Sequence, residues 1–108
     1  MAMEIAKLIF DSTSSFPDSE KFGLVSQMNR CAVSLPSNIS EGSSRSNKSF
    51  SHFLDISLGS SFELQTQLLL ANYKGYISDE NIKLLEERLE EFQKATMSFQ
   101  NTINNNNG

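Results

Sequence analysis

The sequence predicts an all-α protein, an antiparallel up-and-down four-helix bundle. Three observations lead there. Apolar residues recur at three- and four-residue spacing through most of the chain, no stretch alternates as a strand does, and glycine or proline punctuates the pattern between long periodic segments. With 108 residues the chain is long enough for one domain with a real core. Residues 1–103 are assigned to that domain and 104–108 to a polar tail.

The first helix covers about 2–14, with Ile5, Leu8, Ile9 and Ser12 on one face, and ends in a serine-rich stretch before Pro17. Pro17 suits the first turn of a second helix, about 18–41, where Asp18 and Glu20 face the positive end of the helix dipole. This helix has two apolar stripes, Phe22, Val25, Ala32 and Ile39 beside Leu24, Met28, Cys31 and Leu35, and Gly42 stands where a C-terminal cap belongs. The third helix, about 46–73, carries Phe50, Leu54, Ser57, Ser61, Leu64, Leu68 and Ala71 in the 4-3 spacing of a bundle seam. Beside that seam runs a second stripe of Leu58, Phe62, Leu69, Tyr73 and Tyr76, and Gly75 ends the helix. Ser78 then caps the fourth helix, whose Ile82, Leu85, Leu89, Phe92, Thr96, Phe99 and Ile103 keep the same period.

Helix lengths predict self-association. At 1.5 Å per residue the last three helices reach about 36 to 42 Å and the first only about 20 Å. One short helix leaves part of its longer neighbours uncovered, so Leu58, Phe62, Leu69 and Tyr73 are expected to meet another copy.

Composition excludes several functions. The net charge is −4, with six Lys/Arg against seven Asp/Glu in residues 1–78 and three against six in 79–108. Phosphate binding therefore depends on gathering a few cations on one face. A single Cys31 and a single His52 form neither a disulfide nor a zinc site, and no cofactor or metal is expected. Residues 1–10 are charged and amphipathic, and no apolar run spans a bilayer, which predicts a cytoplasmic protein without membrane contact. No nucleophile set, phosphate loop or paired carboxylate stands out, so no catalytic residue is assigned and the protein is read as non-enzymatic.

The most distinctive segment is RCAVSLPSNISEG at 30–42. It sets Pro36 inside a helical pattern, where a lost backbone bond costs roughly 3 kcal/mol, with Asn38 or Ser37 as the expected replacement donor. Together with Arg45, FSHFL at 50–54, SLGSSFEL at 57–64 and GYI at 75–77, it resembles the four-helix-bundle proteins encoded in intervening sequences of 23S ribosomal RNA genes. That family is related to the accessory variability protein of diversity-generating retroelements, and the resemblance spans about 4–103. It implies an up-and-down four-helix bundle that assembles as a homopentameric ring or barrel. In the retroelement relatives a basic surface is linked to nucleic-acid binding and to contact with a reverse transcriptase; this chain departs from them in being acidic.

Individual residues carry further expectations. Gly59, among Ser57, Ser60 and Ser61, predicts close approach of another helix. Glu63, if buried, needs a partner, with Arg30 and Arg45 as candidates, and is expected in an ion pair or a capping contact, while Glu41 is expected to make a contact at the helix terminus beside Gly42. Arg45 and Lys48, in a serine-rich corner, with Arg30 as a third cation, are the expected contacts to RNA. The alternative partner is a basic protein docking on the acidic fourth helix, with Glu86, Glu87, Glu90 and Glu91 outermost.

Overall fold

The computed structural model describes residues 1–106 and contains four α-helices, α1 (Ala2–Thr13), α2 (Leu24–Ser43), α3 (Asn47–Tyr73) and α4 (Asp79–Asn106). No strand is present among the described residues. The molecule measures 49 × 24 × 18 Å, and α1 packs on α2 and α4 while α3 packs on the same two helices from the other side. Hydrogen bonds between helices pair Ser34 with Ser60 and Leu35 with Ser57 across α2 and α3, and Gln93 with Ser61 and Gln100 with Ser51 across α3 and α4.

Ile5, Ile9, Met28, Leu35, Leu64, Leu68, Leu89 and Phe92 are almost fully removed from water and form the centre of the core. The α3 seam alternates these large residues with Ser57 and Ser61, both fully buried. Their small side chains let neighbouring helices come close, and their hydroxyls stay satisfied. Ser57 donates to Leu35 O at 3.0 Å, and Ser61 donates to Leu58 O at 2.6 Å and accepts from Gln93 Nε2 at 3.3 Å.

The second helix starts later than its pattern suggests. Residues Asp18–Glu20 form a 3₁₀ turn, and Gly23, at φ −109° and ψ −106°, separates it from α2. Glu20 explains the break. One of its carboxylate oxygens faces Leu24 N at 3.5 Å, and the other accepts from Tyr76 Oη at 2.9 Å, so it ties the start of α2 to the α3–α4 turn. Phe16 closes this end of the core against the Tyr76 ring, 5.2 Å between centroids. Phe22 is thereby turned out, 91% exposed, instead of joining a core stripe.

Gly42 is no C-cap. It lies inside α2, which runs on to Ser43, and is buried where a Cβ would come within 2.8 Å of Phe50 Cδ1 and Phe53 Cβ. The glycine thus lets α2 and α3 meet closely at their connection. Gly75 does cap: at φ +79° it places its own N–H on Asn72 O and the Tyr76 N–H on Ala71 O, satisfying two carbonyls at the end of α3. Ser78 caps α4 as expected, with Asn81 N donating to its Oγ, and Ser46, expected as the first residue of the third helix, caps α3 by accepting from Ser49 N. At the far end α4 continues through Asn106, so 104–106 of the expected tail are helical; residues 107 and 108 lie outside the described residues.

Candidate interaction surfaces

Apolar residues are exposed on several faces of this bundle, and two of those surfaces stand out. The first lies on α3, opposite its buried seam. Gly59, Phe62, Thr66, Leu69 and Tyr73 follow one another at 3-4-3-4 spacing, so they share one face of the helix. Phe62, Leu69 and Tyr73 are 48%, 52% and 85% exposed. Leu58, expected on the same surface, is buried at 8% exposure: it lies on the flank of α3 that turns toward α4. Gly59 also differs from expectation within the subunit, since a Cβ there would have nothing within 4 Å. No helix of its own chain approaches it.

The second surface is a groove of about 570 Å³ between α1 and α2. Met3, Phe10, Val33 and Pro36 supply its apolar lining, and Lys7 and Glu41 its charges. Met3, Lys7 and Phe10 follow a 4-3 spacing on α1, off the Ile5–Ile9 face that enters the core, and that offset is the signal by which the sequence could have revealed the groove. Pro36 is the link to the distinctive segment. The carbonyl it frees is that of Ala32, four residues back. Asn38 does not replace the missing donor; its Nδ2 bonds Ser34 O at 2.9 Å and Ser34 Oγ at 2.8 Å.

The expected basic site is dispersed. Arg45 pairs with Glu41 and lies over the Phe53 ring, 5.2 Å from its centroid, so its charge is already shared inside the protein. Lys48 is exposed in the first turn of α3. Arg30 sits some fifteen residues before Arg45, about 20 Å away along the axis of α2, and joins no common patch with it.

Glu63 is exposed and pairs with neither arginine; its Oε2 accepts from Cys31 Sγ at 3.2 Å. The thiol of Cys31 is pushed up to about 11, first by burial and then by the Glu63 carboxylate, with the positive charge of Arg30 acting in the opposite sense. A thiol held protonated in this way is a poor nucleophile at neutral pH. His52 is exposed, with its ring edge toward Phe53. Among the described residues no cluster of three potential metal ligands occurs, and no helix is long and apolar enough to cross a membrane.

Fold and surfaces together define an all-α helical bundle with apolar residues exposed on its outer faces. The chain belongs to the 23S rRNA-intervening sequence protein family, whose model matches residues 1–98. A search of curated proteins finds no match.

Proposed function

We propose that this protein is a non-catalytic, self-assembling scaffold, an antiparallel up-and-down bundle that forms a homopentamer in the cytoplasm. One observation carries the reading: Phe62, Leu69 and Tyr73 form a solvent-facing apolar seam with bundle spacing on a helix whose opposite seam is already buried. Contiguous apolar faces of this kind rarely stay open on a monomer and usually mark an interface. The antiparallel order is supported by the pairings across α3, in which residue numbers rise on one helix as they fall on the next. The non-catalytic reading is supported by the character of the α1–α2 groove, which is mainly apolar with one charge of each sign.

Light scattering tests the assembly. The expected mass at micromolar concentration is about five times the 12.1 kDa of the chain, falling to one chain for Phe62→Glu. A wild-type mass of a single chain would overturn the proposal.

A second reading gives the scaffold RNA as its partner. It is favoured by Lys48, exposed in the first turn of α3, with Arg45 close by although paired with Glu41, since five copies would repeat this corner five times. Binding to structured RNA should weaken steeply with salt and fall in the Arg45→Ala, Lys48→Ala double variant. Recovery of a basic protein without RNA would instead assign the partner to the acidic outer face of α4.

A further inference from the structure

Where α2 meets the middle of α3, three donor groups of different kinds come together. Cys31 on α2 is 6% exposed and donates its thiol to Glu63 Oε2 at 3.2 Å. Gln67 follows Glu63 by one helical turn, so both stand on one face of α3, and the Gln67 amide also lies against the thiol. Gln67 is 6% exposed, and its Oε1 is buried without a hydrogen-bond partner. Buried polar atoms are nearly always paired, so this oxygen points to a partner from outside the chain. We propose that Cys31, Glu63 and Gln67 form a binding site for a single thiophilic divalent cation of the zinc type, held by the thiolate, the carboxylate and the amide oxygen.

Geometry favours an ion as the missing partner. Zinc bonds of about 2.3 Å to sulfur and about 2.0–2.2 Å to oxygen place two ligands of a tetrahedral ion roughly 3.5 Å apart. Cys31 Sγ and Glu63 Oε2 stand only slightly closer than that. Half a turn about the last torsion of Gln67 exchanges its amide nitrogen and oxygen and brings Oε1 onto the ion. Glu63 is exposed, which gives the ion a way in and leaves room for a water as its fourth ligand. Histidine, cysteine and carboxylate side chains nowhere gather in threes among the described residues; here the third donor is an amide oxygen, a type the pattern of Cys31 and His52 in the sequence does not bring to mind.

Charge and softness narrow the choice of ion. Thiolate and carboxylate together balance two positive charges, while Arg30, beside Cys31, acts on the thiol with the opposite sign and opposes the cation. One sulfur among oxygens suits a borderline ion such as Zn²⁺ better than Mg²⁺ or Ca²⁺, which take oxygen alone. On binding, the S–H bond breaks, its electron pair becomes the sulfur–metal bond, and the proton passes to the Glu63 side and on to solvent. Nothing is oxidised or reduced.

Calorimetric titration of the wild-type protein with Zn²⁺ alone, repeated in buffers of different ionisation enthalpy, tests the site. At neutral pH one ion per chain should bind with release of about one proton, because the free thiol is protonated there. Cys31→Ser should abolish the proton release and weaken binding by about 100-fold, and Glu63→Gln and Gln67→Leu should each weaken it by about 10-fold or more. Gln67→Glu places a charged oxygen at the same position and should tighten it. Co²⁺ gives an optical check in a chain without tryptophan: sulfur-to-metal absorption should appear in the wild type and vanish in Cys31→Ser. Far-UV circular dichroism verifies each fold; if Gln67→Leu loses helicity, Gln67→Glu and the exposed-site variant Glu63→Gln carry the test. Absence of zinc binding, or binding without proton release, would overturn the proposal. So would binding that Cys31→Ser leaves unchanged, which is adventitious coordination by His52 or the α4 glutamates, and binding indifferent to every Gln67 variant.

Discussion

At Gly42 a single hydrogen atom in place of a methyl group lets two helices touch. Phe50 and Phe53 both stand where a Cβ would fall, and Phe53 meets it with its own Cβ, which cannot swing aside. Gly42→Ala is therefore expected to destabilise the fold by about 1–2 kcal/mol, the cost of overpacking less the better helix propensity of alanine, and urea unfolding measures it. Cys31 gives a second test at this scale. Its thiol is raised from 9.0 to about 11 in the folded chain, so folding favours the protonated form. That contribution is present in full below about pH 9 and is lost as pH rises through about 11. Thiolate absorbance should accordingly appear only near pH 11, and Glu63→Gln should move its onset to lower pH. Little of this was readable beforehand. The residue types named Gly42, Glu63 and Cys31 as special, but a glycine near a helix end suits a cap as well as a crossing, and only the neighbouring helix distinguishes the two.

Among the elements, α3 shows how far periodicity carries. Its buried seam, its start at Ser46 and its end at Gly75 all follow from local chemistry: side-chain spacing, a serine cap and a positive φ. Gly75→Ala forces a Cβ into the left-handed region and should lower stability by about 1 kcal/mol, read as a drop in melting temperature, with Gly75→Asn milder. The element that departs from its pattern is α2. Pro17, Asp18 and Glu20 make a good helix start in isolation, yet the helix begins at Leu24 because Glu20 is engaged by Tyr76 from a position fifty-six residues later in the chain. A long-range hydrogen bond outweighs a local preference, and no local pattern announces it. Leu58 shows the same limit, since a half-turn on a helix decides whether a leucine faces a neighbour or the solvent.

For the molecule as a whole, stability and assembly are linked. A ligand that binds only the folded state raises the melting temperature by mass action, and in the proposed assembly a second copy of the chain would act as such a ligand. The wild-type melting temperature should rise with protein concentration, whereas that of Phe62→Glu should not. Equal behaviour of the two proteins would count against the α3 ridge as an interface. The exposed Glu4–Arg88 pair, at 2.9 Å between α1 and α4, adds little to this balance, as surface ion pairs generally do.

Read alone, the chain specified four helices, most of their core faces and several of their caps, because these depend on neighbours within a turn or two. It also specified the family through the run around Pro36, and the exposed apolar face of α3 at Phe62, Leu69 and Tyr73. Packing in three dimensions settled the rest. Arg45 shares its charge with Glu41, Gly42 sits in a helix crossing, and Phe10 and Val33 line a groove instead of a core. The reason is physical: spacing along a helix tells which residues share a face, but which face meets another helix and which meets water depends on residues far away in the chain.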